Sequence, residues 1–223
     1  MTGPRQTFHK NLDDLQNDVT LLGSMVEKAI RRAMDALVRQ DESAAQQIIR
    51  DDGEINRRRF EIEERALELV ALQAPMASDL RVIAAVFNVS SDLERMGDHA
   101  AGIAEIVLMH KGEPRLQPLT ELENMAEQAT SMLRQALDSF ANRDPELARR
   151  VCSLDDGVDE LYDSFYHSML QRMIDDPSLI QRATYLIWVS HNLERIADRA
   201  TNICERVVFL ITGRMEELNV SSY

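Results

Sequence analysis

Apolar residues recur along this chain at helical spacing almost without interruption. In the first segment Phe8, Leu12, Leu15, Val19, Leu22, Val26, Ala29 and Ala33 alternate four and three apart. That is a heptad seam, and it predicts a long helix packed lengthwise against neighbours. The seam stops near Gln40, and Asp41 is placed to cap a second helix running to about Gln73. Pro75 suits the first turn of a third helix that ends near Gly112. The stretch from Gly112 to Pro118 holds two prolines and a glycine and marks a boundary. Beyond it the plan repeats. A fourth helix carries Leu122, Ala126, Ala129, Leu133, Ala136 and Phe140, and Asp144-Pro145 opens a fifth. Pro177 stands before the sixth as Pro75 stands before the third. Strand patterns and hairpin dipeptides are nearly absent. Helices of this length joined by short turns pack antiparallel. The expectation is an all-α chain: a tandem repeat of two antiparallel three-helix bundles, residues 7–112 and 117–213, with six long helices.

The repeat is visible residue by residue. The nineteen positions from Val89 to Val107 align without a gap on Val189 to Val207, and ten are identical. Chance would give about one or two. The third helix has Val86, Leu93, Ala100 and Val107 on one register and Ser90, Gly97 and Ala104 on the other. The sixth has Leu186, Leu193, Ala200 and Val207 beside Ser190, Ala197 and Cys204. One register is small in both copies, so these two helices are expected to be the most buried. The triplet Asp51-Asp52-Gly53 recurs as Asp155-Asp156-Gly157 and suggests a matching register for the second and fifth helices.

Among the identities are three acids per copy: Glu94, Asp98 and Glu105, and Glu194, Asp198 and Glu205. At 100° per residue each trio falls on one narrow stripe that borders the apolar seam, with Asn202 close beside it in the second copy. Like charges four apart on a helix cost about 0.2–0.5 kcal/mol, and opposite charges gain as much. Elsewhere the chain takes the favourable pairing: Glu27 with Arg31, Asp35 with Arg39, Glu54 with Arg58, Glu61 with Arg65, Glu146 with Arg150. Glu94 and Glu194 are followed at that spacing by another acid, which points to a cation completing the row. Carboxylates suit iron, magnesium, manganese or zinc. The competing reading is a solvated acidic face inherited by duplication. Asp155, Asp156, Asp159 and Asp163 on the fifth helix, and Asp52 and Glu61 on the second, could face the rows; spacing does not say which turn inward.

Charge and composition narrow the function. The chain has 223 residues and a formal net charge of −13, which argues against nucleic acid or anionic lipid as a direct partner. The run Arg57-Arg58-Arg59 reads as a solvated helix face. No apolar run approaches the roughly 20 residues that span a bilayer, and no apolar signal core marks export. Cys152 and Cys204 have no metal or redox spacing and read as small buried residues in a reducing compartment. Trp188, Tyr185 and most of the eleven methionines read as core. Ferritin-type di-iron bundles need Glu-x-x-His, and here Glu94 and Glu194 are followed at that spacing by Gly97 and Ala197. No phosphate loop or nucleophile triad is present. The chain reads as an acidic helical adaptor rather than an enzyme. A metal-binding carboxylate bundle with a storage or redox role is the alternative.

Three segments together resemble the PhoU family of phosphate-transport accessory proteins. They are Leu93-Glu94-Arg95-Met96-Gly97-Asp98-His99-Ala100, then Asn192-Leu193-Glu194-Arg195-Ile196-Ala197-Asp198-Arg199-Ala200-Thr201-Asn202-Ile203, and Gln73-Ala74-Pro75-Met76-Ala77-Ser78-Asp79-Leu80-Arg81 before the third helix. The likeness runs from about Phe8 to Gly213. It implies a cytoplasmic, non-enzymatic regulator that represses the phosphate-starvation response and restrains phosphate uptake, contacting the phosphate ABC transporter ATPase and a sensor histidine kinase. It also implies multinuclear iron or zinc on Glu94, Asp98, Glu194 and Asp198, with Asn202, Glu205 and Glu105 beside them. Asp79 and Arg81 become candidates for a docking surface, and a homodimer is left open. The copies differ at Gly102 against Asn202 and at His99 against Arg199, which argues against equal metal occupancy.

Overall fold

The computed structural model describes residues 4–73, 75–110, 112, 114, 116 and 119–218. The elements in chain order are α1 (Pro4–Arg39), α2 (Glu42–Gln73), α3 (Ala77–Met109), α4 (Thr120–Asn142), α5 (Pro145–Cys152), α6 (Asp155–Asp175), a 3-10 turn (Pro177–Leu179) and α7 (Ile180–Thr212). Among the described residues there is no strand. The six-helix plan is present, with the fifth helix broken into α5 and α6. At the break Ser153 Oγ turns back to donate to Arg150 O at 2.8 Å, and Leu154 N–H closes a tight turn on Val151 O at 3.0 Å.

The turn chemistry repeats where the sequence places it. Gln40 and Arg143 close α1 and α4 in the left-handed region, at φ 54° and 53°. Asp41 Oδ1 then accepts from Ala44 N–H at 2.9 Å, and Asp144 Oδ1 accepts from Glu146 and Leu147 N–H. The two prolines behave differently from each other. Pro75 lies outside α3, whose cap position is the extended Met76. Pro177 opens the 3-10 turn that runs into α7, because Asp176 before it accepts from Ser178 N–H at 3.0 Å. The boundary stretch 112–118 and the start of the expected second domain at 117 fall mostly outside the described residues.

The α1 seam is buried from Phe8 to Ala33 except for Ala29, which is half-buried, and the α4 positions are buried throughout. Both registers of α3 and α7 are buried, from Val86 and Ser90 to Val107, and from Leu186 and Ser190 to Val207. α3 packs on α1, α2 and α7; α7 packs on α3, α4, α5 and α6; and α1 meets α4. One apolar core therefore runs through both repeats. Cys152 and Cys204 are buried free thiols.

α3 and α7 run antiparallel, and their polar contacts are related by the repeat. His99 Nδ1 donates to Asn192 Oδ1 at 2.9 Å, and Arg199 Nη1 donates to Asp92 Oδ1 at 3.3 Å. Position 92 corresponds to 192 and 99 to 199, so these are two versions of one contact around a pseudo-twofold axis. Asn202 Nδ2 also reaches Asp92 Oδ1 at 3.4 Å. Its counterpart Gly102 has no side chain, and a Cβ there would lie 3.2 Å from Asn192 Oδ1. Burial raises the Asp92 carboxyl above its ordinary range, and the Arg199 charge opposes that shift.

The buried positions of α2 and α6 correct the register suggested by the aspartate triplets. Ile55, Ile62 and Ala66 are buried in the first copy, and Val158, Phe165 and Met169 in the second. That pattern aligns Asp52 with Asp155, one residue off the triplet match, and Asn56 with Asp159.

Packing between the repeats is tight at Gly23, where a Cβ would overlap Leu137 Cδ1 of α4. Gly23→Leu is expected to lower the urea-unfolding free energy by about 1–3 kcal/mol through overpacking. Gly53→Ala, with nothing within 4 Å of its added Cβ, is expected to raise it by about 0.5–1 kcal/mol. A rise at both positions would show that α1 and α4 are not in tight contact.

Candidate metal centre

Each acidic row lies on the flank of the α3–α7 pair and is faced by the helix before it. In the second repeat α6 turns Asp155 and Asp159 toward Asp198 of α7. One carboxylate oxygen from each lies within 4.8 Å of the other two. Oxygens bound to one hard cation at about 2.0–2.6 Å lie no more than about 5 Å apart, so the three fit a shared ion. Asp156 and Asp163 point outward and are exposed. Glu194 lies near this trio, close enough to feel its charge, without joining it. It is 8% exposed, and its Oε2 accepts no hydrogen bond. The nearest side-chain nitrogens to that oxygen are His191 Nδ1 at 3.5 Å and Arg195 Nε at 3.6 Å. Arg195 reaches Asp198 as well.

The electrostatics reflect crowding of like charge in a dry place. Burial, then the Asp198 carboxylate, pushes Glu194 from 4.5 up to about 7, with Arg195 opposing and Asp159 and Asp155 adding to the rise. Burial and Asp198 raise Asp159, and burial raises Asp198 against the pull of Arg195 and Arg199. A bound cation would relieve all of these shifts together.

The first repeat builds the same place with different charges. α2 presents Asp52 to Glu94 and Asp98, and burial and those two acids raise its carboxyl. Asn56 stands where Asp159 stands in the second copy, and its amide donates to Asp52 Oδ2 at 3.2 Å. Burial and Asp98 raise Glu94, but the charges of Arg59 and Arg95 pull it down. Glu61 is turned away and paired with Arg57 and Arg58.

Some candidates from the sequence lie apart from these clusters. Asn202 is spent on Asp92 across the seam. Glu205 accepts from Leu218 N–H at 3.0 Å, in a polar cleft of about 530 Å³ that also borders Asp198. Glu105 is exposed. Asp79 is half-buried in the first turn of α3. Arg81 donates from Nε to Leu210 O at 3.3 Å, tying the start of α3 to the end of α7. Arg59 was hidden in a run that reads as a solvated face. Arg57 fits that reading, paired with Glu54 and Glu61. Arg59 is largely buried and binds Glu63 at 2.6 Å. The period of Ile55, Ile62 and Ala66 was the signal that places Asn56, Arg59 and Glu63 toward the row.

Fold and site together define a class: a tandem helical bundle whose two inner helices each carry a carboxylate row beside their shared contact. The family model described as PhoU domain matches residues 19–107 and again 122–207. The phosphate-specific transport system accessory protein PhoU homolog of Clostridium acetobutylicum is 39% identical over 216 residues, covering 96% of this chain and 99% of the relative. The Pseudomonas aeruginosa protein of the same description is 36% identical, over 93% and 86%. The crystal structure of the phosphate transport system regulatory protein PhoU from Streptococcus pneumoniae superposes with a TM-score of 0.89 at 34% identity, over 94% of this chain and 99% of that one. This chain belongs to the PhoU family.

Because Glu194 has its folded pKa near 7 against an ordinary 4.5, the folded chain keeps a proton that the unfolded chain releases between those values. Stability therefore falls as pH rises through that window and the loss is complete above it. In metal-free buffer with chelator, Glu194→Gln should be more stable than the parent by roughly 1–3 kcal/mol at pH 8, with the gain vanishing near pH 5. Urea denaturation at the two pH values checks this. An equal difference at both would contradict it.

Proposed function

We propose that this chain is a non-enzymatic accessory regulator of phosphate-specific transport, acting on the cytoplasmic side of the membrane. The observation that carries the reading is family membership over nearly the whole chain, with relatives described as phosphate-specific transport accessory proteins. The architecture suits an adaptor. No helix among the described residues is long and apolar enough to cross a membrane. The acid row needs a cation more than it needs a substrate.

The partners in this reading are the phosphate ABC transporter ATPase and a sensor histidine kinase. When phosphate is plentiful the protein restrains uptake and holds the starvation response off, through contacts that favour one state of each partner over the other. The second row, with Asp155, Asp159, Glu194 and Asp198, holds iron, zinc or another hard or borderline cation that fixes α6 against α7. A multinuclear cluster would need further oxygens, and in this reading Glu205, on the cleft that also borders Asp198, gives up its bond to Leu218 to supply one.

Deletion is expected to switch on phosphate-starvation genes and raise phosphate uptake in cells with ample phosphate. Reduced expression should give graded de-repression, since a stoichiometric contact has no catalytic reserve. Transcript levels and labelled-phosphate uptake measure this, and a pull-down from phosphate-replete cells reads the two partners. Normal expression and normal uptake in the deletion strain would contradict the reading.

A further inference from the structure

Beyond α7 the chain turns back on the helix it has just left. Gly213 ends α7 in the left-handed region at φ 72°, and Arg214 N–H donates to Thr212 Oγ1 at 3.1 Å. Residues 214–218 form no helix or strand and are held by side chains of α5 and α7. Arg206 Nη1 donates to Met215 Sδ at 3.1 Å, Glu216 pairs with Arg149 of α5 at 3.1 Å, and Leu218 N–H donates to Glu205 at 3.0 Å. The Leu218 side chain packs, half-buried, against the apolar core. The segment lines the polar cleft of about 530 Å³ together with Arg195, Arg199 and Arg206. The Nε atoms of those three arginines are buried and have no hydrogen-bond acceptor among the described residues. The cleft therefore keeps donors that the segment leaves unused. The two cations that touch the segment have no counterpart in the first repeat. The register that aligns Ala45 with Ala148 and Ile48 with Val151 puts Gln46 at the place of Arg149, and the buried Ile106 stands at that of Arg206.

We propose that this cleft is a peptide-binding site for a partner's short acidic segment with an apolar residue two positions after the acid, and that residues 214–218 occupy it as a detachable strap. The contacts of the strap define what is recognised. Arg149 takes an acidic side chain, Glu205 takes the main-chain N–H two residues on, and the edge of the core takes that residue's apolar side chain. The strap is weakly held. Met215 is 68% exposed, and the Glu216–Arg149 pair is open to solvent, where ion pairs contribute little. The strap fills the cleft because it is tethered there, at an effective concentration on the order of millimolar. A partner's segment that also reaches the unused arginine donors makes bonds the strap does not, and displaces it. This site does not depend on the cation reading of the second row.

The probe is a fluorescent peptide of residues 213–218, Gly-Arg-Met-Glu-Glu-Leu, capped at both ends. The strap is released in the full-length chain by Glu216→Arg with Leu218→Asp, which leaves every helix intact. Fluorescence anisotropy should show saturable binding of the peptide to this variant, and binding at least about tenfold weaker to the parent, whose own strap competes. Adding Arg149→Glu to the variant should abolish binding while circular dichroism reports an unchanged helical fold. A peptide carrying Glu216→Arg should then bind that triple variant, which a merely structural role of Arg149 does not predict. In the parent, excess peptide should move the Met215 methyl resonance to its position in the strap-released variant. No saturable binding to the strap-released variant would overturn the peptide site. Equal binding to parent and variant would overturn the strap, and failure of the charge-swapped peptide would overturn recognition of the acid by Arg149. None of these results touches the proposed role in phosphate transport.

Discussion

Everything in this molecule is arranged around the antiparallel contact of α3 and α7. Small residues at Ser90, Gly97 and Ala104, and at Ser190, Ala197 and Cys204, are all buried in the two inner helices. Polar groups cross between α3 and α7 at fixed points, Asp92 with Arg199 and His99 with Asn192. A carboxylate as buried as Asp92 is tolerated only with a partner, and Arg199 and Asn202 are that partner. Because 92 and 99 correspond to 192 and 199, the contact sets a pseudo-twofold relation for the whole chain. The outer helices are then laid over each flank beside the acidic rows, burying Glu194 while Asp98 and Glu105 stay exposed.

Duplication gave both flanks the same carboxylates, and the same electrostatic problem, which the two have met in different ways. The first sets the Asn56 amide on Asp52, and the charges of Arg59 and Arg95 oppose the rise at Glu94. The second adds Asp159 and sets Arg195 on Asp198, and burial, then the Asp198 charge, holds Glu194 at about 7. Such a row is poorly satisfied alone and well satisfied around a cation.

The sequence alone carried much of this. The heptad seam of α1, the caps at Asp41 and Asp144, and the two inner helices were all readable, because apolar period and cap chemistry are local. The rows were readable too, since an acid four residues after an acid stands out in a chain that otherwise pairs acid with arginine. Which residues face the rows was not readable from the Asp-Asp-Gly triplets, which mislead by one residue; the buried period of Ile55, Ile62 and Ala66 sets the true register. Arg59 was obscured for the same reason, as a member of a basic run whose other members are solvated. The break at Ser153 escaped notice because the hydrophobic period continues past it, from Val151 to Val158.

The most direct test of the account is a crystal of the full chain grown with Mn2+ and measured at the manganese absorption edge. The account predicts anomalous density among the carboxylates of Asp155, Asp159 and Asp198. No density among those three carboxylates at saturating Mn2+ would contradict it.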